Sequence, residues 1–296
     1  MTTELTSHRA TGFALQSFVE TLLLPDLIQL TERVVALSSD SSVDQIHQSR
    51  VLIRTLRGQL NTFSPLFRRQ AALKAKRQLK SLDALLGALR NIDVIVAFLA
   101  RDTADLAAGS KTETELRREL MQRLTEQREA QMREVLDQLL TGSVLELIPL
   151  VSEFAGDRFI RHRTLAMAAH RQQQLLRKCL NNERRKLLKR VGKSSDKLSS
   201  RKLHRVRIQA KQVHYSYEAA RSQRLIEDTR IMTLAKDLHR ILGKHQDLVM
   251  FASWLKEQEV PGVTDVATQN QWLQRIKHKR RKAIKRYRLW IKELSF

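Results

Sequence analysis

The sequence predicts an all-α protein. Three observations carry that expectation. Apolar residues recur at spacings of three and four along most of the chain, no run alternates with period two over a strand's length, and breakers are few, with 9 Gly and 4 Pro in 296 residues. Helices of about 15–30 residues joined by short breaks pack as antiparallel bundles.

The elements follow in order. Ser42, three residues before Gln45, marks a helix start of capping-box type. The helix after it carries Ile46, Ile53, Leu56, Leu60 and Phe63 as its apolar stripe. Pro65 ends it. A long run follows with Leu79, Leu82, Leu86, Leu89 and Val96, then another with Leu116, Leu120, Leu124, Val135, Leu136 and Leu139. Breakers are expected at Gly109-Ser110, Gly142-Ser143 with Pro149, Gly156, Gly192 to Ser195, and Pro261-Gly262. A last helix carries Trp272, Ile276, Ile284 and Trp290.

Composition narrows the function classes. Apolar residues make up 42%, enough for a core, so full disorder is excluded. The length allows two ordinary domains or one larger one. Aromatics at 5% count against a stacking platform for single-stranded nucleic acid. Cys179 is the one cysteine, so no intrachain disulfide forms. The opening MTTELTSHRA has neither a basic nor an apolar region of signal-peptide type. No run approaches the length of a spanning helix. These features lead to the expectation of a soluble cytoplasmic protein with no membrane insertion.

The charge is extreme, and it is segregated. Lys and Arg number 54 against 31 Asp and Glu, a formal net charge of +23. Such an excess points to a polyanionic partner. Residues 50–90 hold 10 basic residues and 1 acid, residues 158–211 hold 18 and 2, and residues 275–292 hold 10 and none. Segment 93–157 reverses the balance, with 7 basic and 13 acidic residues. Separate basic runs around an acidic one suggest that folding gathers positive charge at a chosen place.

The chain also repeats itself. IHQSRVLIRTLR at 46–57 matches LHRVRIQAKQVH at 203–214 with an offset of 157. LKSLDALLGALRN at 79–91 matches AKDLHRILGKHQD at 235–247 with an offset of 156. In the first motif, about 100° per residue places His47, Arg50, Arg54 and Arg57 within an arc of about 80°, beside the apolar arc. His204, Arg207, Lys211 and His214 repeat that arrangement beside Leu203, Val206, Ala210, Val213 and Tyr217. Like charges at these spacings cost a helix about 0.2–0.5 kcal/mol per pair, so two aligned stripes suggest that an anion offsets the repulsion. The rival reading is a solvated stripe covering the core edge.

At these residues the sequence resembles the CHAD family, the conserved histidine α-helical domain, from about residue 8 to the end. The resemblance rests on the His47 motif, Leu86-Gly87 with Arg90-Asn91-x-Asp93-Val94, the His204 motif with Lys211 and Tyr215, and Leu242-Gly243 with Asp247-Leu248. It implies two four-helix halves, 8–152 and 153–296, related by a pseudo-two-fold axis. It also implies a basic channel that binds inorganic polyphosphate, and a link to polyphosphate granules. The ExExK signature of the CYTH-type triphosphatase that often precedes such domains is absent, so a stand-alone CHAD protein is expected. Two positions depart from the family pattern: Asn91 stands where an Asp is usual, and His214 where an Arg is usual.

The expected function is polyphosphate binding without catalysis and without a cofactor or metal. Arg binds phosphate oxygens bidentately and Lys acts as a mobile point charge. The expected binding residues are His47, Arg50, Arg54, Arg57, His204, Arg207, Lys211 and His214. Lys76, Lys80, Arg90, Lys236 and Arg240 follow from the helices with the Leu-Gly motifs, and Arg161 and Arg163 from the basic middle segment. Asp93 and Asp247 are read either as orienting acids or as helix-terminal salt bridges. The alternative function is nucleic-acid binding, favoured by the run Lys277 to Lys282. An enzyme is the third reading. Gly192-Lys193-Ser194 resembles the end of a phosphate-binding loop, but Leu187 stands where that loop needs Gly. An acidic protein partner is the fourth.

Overall fold

The computed structural model describes residues 19–101, 111–139, 142, 144–155, 159–196, 198–258 and 266–293. A π-helical turn, Val19–Leu23, leads into α1 (Leu24–Ala36), α2 (Val43–Thr62), α3 (Arg69–Arg101), α4 (Lys111–Gln138) and α5 (Val144–Ala155). A single-turn α6 (His162–Leu165) is followed by α7 (Ala169–Asp196), α8 (Ser200–Ser222), α9 (Arg230–Lys256) and α10 (Val266–Glu293). Among the described residues there is no strand, only an isolated antiparallel bridge between Phe67 and Ile160.

Local chemistry sets the boundaries. Ser42 Oγ accepts from the Gln45 amide at 3.3 Å, satisfying one of the free donors of the first turn of α2. The capping box is only half made, because Gln45 Oε1 accepts from Arg33 Nη1 at 2.7 Å and so ties α1 to α2. Ser199 caps α8 in the same way, accepting from the Lys202 amide at 3.3 Å.

Two expected breaks are not breaks. Pro149 sits in the middle of α5, the sixth of its 12 residues, with its ring exposed, so the helix runs on through a position that lacks a backbone donor. Gly192 to Ser194 continue α7, and Ser194 is buried with its hydroxyl on Val191 O and on the Tyr287 hydroxyl. The sequence Gly192-Lys193-Ser194 is therefore helix, not a phosphate-binding loop. The breaks expected at Gly109-Ser110, Ser143, Gly156 and Pro261-Gly262 lie outside the described residues.

Packing produces two cores. The larger draws on α1 to α5 and α7 to α10, and its fully buried members include Ile46, Ile53, Leu56 and Leu60 from α2 and Phe63 just beyond its end. The same core buries Leu203, Val206, Ala210, Val213 and Tyr217 from α8, so both predicted apolar arcs face inward. A smaller core joins the C-terminal part of α3, the N-terminal part of α4, the C-terminal part of α9 and the start of α10, through residues such as Leu99, Leu120, Phe251 and Trp272. There Phe98 stacks on Phe251 with ring centroids 5.2 Å apart.

In the second half, α7 packs on α8, α8 on α9, α9 on α10, and α10 back on α7. In the first, α1 packs on α2, α2 on α3, α3 on α4, and α5 on both α1 and α3. The halves meet where α2 crosses α8. Gln212 Nε2 donates to Gly58 O at 2.5 Å and to Thr62 Oγ1 at 2.6 Å, and Thr62 and Ser216 share a hydroxyl bond at 2.6 Å.

Candidate polyanion-binding site

α2 and α3 from the first half and α8 and α9 from the second enclose a cleft of about 720 Å³. The helical spacing read from the sequence explains its lining. His47, Arg50, Arg54 and Arg57 come from the polar arc of α2, and Arg207 and Lys211 from that of α8. Arg90 joins them from α3. Six Lys and Arg side chains thus face two carboxylates, Asp83 and Asp247, in the same cleft.

The cations on the α2 wall are held in place by Asp83. Arg57 Nη1 donates to Asp83 Oδ2 at 2.6 Å. Arg50 Nη1 lies 3.1 Å from Asp83 Oδ1 and also donates to the Asp83 carbonyl. Gly87 makes this possible: a Cβ there would stand 2.8 Å from Arg50 Nη1. In the second half the requirement is relaxed: a Cβ at Gly243 would stand 3.8 Å from Arg207 Nε, an ordinary contact.

Burial, followed by crowded like charges, perturbs the titration of the site. Burial, reinforced by Arg207, Arg54 and Arg50 and only partly opposed by Asp247, lowers the Lys211 ammonium to about 7. Burial, Arg90 and Arg54 push His47 below its ordinary value. Burial raises Asp247 against the pull of Arg207, Lys211 and Arg90. Four buried donors, His47 Nδ1, Arg50 Nε, Arg54 Nε and Arg207 Nε, have no hydrogen-bond partner among the described residues. Each such group costs about 1–3 kcal/mol.

Other predicted residues go elsewhere. His204 is not in the lining; its Nδ1 lies 3.1 Å from Oε1 of Gln246, which is. His214 is 8% exposed and turned away from the cleft, its ring 5.4 Å from that of His239 and its Nε2 3.8 Å from Glu218. Burial lowers His214, and burial with His214, Lys211 and Arg207 lowers His239 to about 4. The departure at His214 therefore removes no charge from the cleft, while Asn91 lines it without the negative charge an Asp would bring.

Lys80 and Lys236 are exposed. Arg240 pairs with Asp237 at 3.3 Å and, with Lys244, Lys279, Lys282 and Arg286, lines a groove between α9 and α10. Lys76, Arg161 and Arg163 share a separate pocket. Asp93 is buried and accepts from Arg128 Nε at 2.9 Å, while Arg128 Nη2 donates to Ser41 O at 2.8 Å, so this acid braces α3 against α4 and the α1–α2 turn.

Sequence reasoning missed Asp83, Gln246, Gln212 and Tyr215, all in the lining. The repeat held a signal for Asp83. At offsets 157 and 156, the pair Arg57–Asp83 corresponds to His214–His239, so an ion pair in one half stands where two imidazoles meet in the other.

A family model described as CHAD domain matches residues 21–256. The chain belongs to the CHAD domain family. The match starts later than the expected residue 8 and ends before α10. PptA from Streptomyces chartreusis shares the fold with a TM-score of 0.68 at 15% identity, covering 91% of this CHAD chain and 99% of the other. The CHAD domain from the plant Ricinus communis gives a TM-score of 0.64 at 20% identity, covering 92% of this chain and 86% of that one. No curated protein sequence matches. Among the described residues, no helix is long and apolar enough to cross a membrane, and no group of three or more His, Cys, Asp or Glu is placed to hold a metal ion.

Proposed function

We propose that this protein binds inorganic polyphosphate in the cleft between α2, α3, α8 and α9, and that it does so without turning the polymer over. The observation that carries the reading is the convergence of the first stripe, of Arg207 and Lys211 from the second, and of Arg90 on one cleft. Polyphosphate has charge on every unit and no bases, so it calls for cations and needs no stacking surface. Tyr215 is the one Phe, Tyr or Trp ring in the lining, which disfavours a base-reading nucleic-acid site. On this reading the halves 8–152 and 153–296 are two copies of one unit about a pseudo-two-fold axis, and the cleft is a channel between them. Association with polyphosphate granules follows from the same affinity.

Arg54 faces the polymer from one wall and Lys211 from the other. Asp83 positions Arg50 and Arg57, so their forks meet phosphate oxygens with little loss of rotamer freedom. A phosphate beside Lys211 raises its affinity for a proton, so binding near neutral pH takes up protons. A competition assay at physiological salt tests the function. Polyphosphate should displace a labelled polyphosphate far better than duplex DNA of equal phosphate content; equal competition by DNA overturns the reading. Release of orthophosphate from long chains would overturn the non-enzymatic part.

A further inference from the structure

The second pocket lies at the N-terminal end of α3 and holds about 600 Å³. Arg69, Lys76, Arg161 and Arg163 line it with Pro65, Leu73 and neighbouring residues, and no carboxylate is in the lining. Its frame is fixed by main-chain bonds. The Arg68 amide donates to Phe159 O at 2.9 Å, and the Arg161 amide to Leu66 O at 3.0 Å. Arg161 Nε donates to Phe67 O at 2.7 Å. Gln172 Nε2 donates to the carbonyls of Thr164 and Met167 at 3.0 and 3.1 Å, which holds the turn carrying Arg163. Lys76 is half-buried, and burial lowers its pKa.

The α3 helix connects this pocket to the cleft. At about 100° per residue, its pocket residues Arg69, Ala72, Leu73 and Lys76 and its cleft residues Asp83, Arg90, Asn91 and Val94 fall within one arc of about 100°. Exposed Lys80 falls in the same arc between the two groups. From Arg69 to Arg90 the stripe runs about 32 Å. At the repeat offset of 156, Arg69 corresponds to Leu225 and Lys76 to Met232, and the pocket at the start of α9, about 820 Å³, mixes Arg177, Arg184, Arg224 and Arg230 with the carboxylates of Glu227 and Asp228.

We propose that the pocket is a distal phosphate subsite, reached by a polyphosphate chain that leaves the cleft along α3 past Lys80, so that chains long enough to span both are held more tightly than chains that fill the cleft alone. This rests on the polyphosphate reading of the cleft. It adds a chain-length preference and a one-sided path, since the matching positions of the second half have Leu225 and Met232 for Arg69 and Lys76, with Asp228 in place of Ala72.

The test compares tripolyphosphate, too short to span the stripe, with a long-chain polyphosphate. Both are titrated into wild type and into the double variant Lys76→Met, Arg163→Gln, whose first change copies the residue of the other half. The long chain should bind the variant about tenfold more weakly, equivalent to ~1.4 kcal/mol, while tripolyphosphate should change by less than about twofold. Long-chain affinity within about twofold of wild type overturns the proposal. A parallel loss for both lengths also overturns it, because the pocket would then act only through the general field. If the double variant does not fold, Arg163→Gln alone, on an exposed side chain, should still weaken the long chain selectively by about threefold. A wild type that binds neither length refutes the polyphosphate reading itself, and this inference falls with it.

Discussion

The two walls of the cleft come from matching segments of the chain, yet they carry charge differently. The first-half wall presents Arg50, Arg54, Arg57 and Arg90, with Asp83 clamping two of them. The second-half wall presents Arg207 and Lys211, with Gln246 at the position matching Arg90 and Asp247 at that matching Asn91. One wall is nearly all permanent guanidinium charge. The other depends on a lysine lowered to about 7. On the proposed function, the first wall grips the polymer with permanent charge and the second responds to protons.

The largest effect should come from breaking the permanent wall. Arg54→Glu should weaken polyphosphate binding by about 100-fold or more, because it removes one cation and leaves a carboxylate among the rest. Isothermal titration measures this, and circular dichroism should show an unchanged helix content.

The next test sharpens the difference between walls. Free Lys211 titrates near 7, while an unfolded lysine titrates near 10.4. Between those values the unfolded chain binds more protons, so this group makes the apo protein more stable as pH rises from about 7 to about 10. Bound phosphate reverses the preference, so affinity should rise as pH falls through 7. Proton uptake should appear in titrations repeated in buffers of different ionisation enthalpy. Lys211→Arg keeps the charge at every pH, and it should flatten the pH dependence between about 6.5 and 8.5. His47, also lowered, contributes only at the acid end.

A smaller effect is expected from loosening the clamp. Asp83→Asn frees Arg50 and Arg57 to wander while adding no bulk. The lost positioning and the gained positive charge oppose each other, so binding should weaken by about threefold or less and its salt dependence should steepen. A salt titration separates the two contributions.

The smallest effect belongs to the pair that replaced the clamp in the other half. His214→Ala should leave affinity within about twofold, since His214 faces His239 away from the cleft. His214→Arg alone buries a permanent charge whose one acidic neighbour on α8, Glu218, is exposed, and should lower the melting temperature, and adding His239→Asp should restore much of it by rebuilding the first-half pair. A failure to restore would show that the two halves differ in backbone as well as in side chains.

The sequence disclosed the helices well because period and caps are local. Ile53, Leu56 and Leu60 are buried as their spacing requires, and Ser42 caps as its position requires. Pro149 and Gly192 were misleading because breakers act by propensity, and tertiary packing outweighs a cost of one or a few kcal/mol. Within the site, Arg50, Arg54, Arg57, Arg207 and Lys211 were legible since helical angle and repeat register agree on them. His214 shares that angle but lies one turn beyond Lys211, where α9 covers it with His239. Which neighbour closes over a helix face is a tertiary fact, and no spacing within α8 contains it. The same limit hid Asp83 and Gln246, which reach the cleft from helices whose orientation only packing sets.

The claim that both halves build one binding site is tested most directly by thermal melting with and without polyphosphate for wild type, Arg54→Glu and Lys211→Glu. A ligand that binds only the folded state raises its stability. Polyphosphate should raise the melting temperature of wild type, and each single reversal, one per half, should abolish that rise while the apo protein stays folded. A rise that survives either reversal would contradict the account, because the polymer would then be held by one half alone or at another surface.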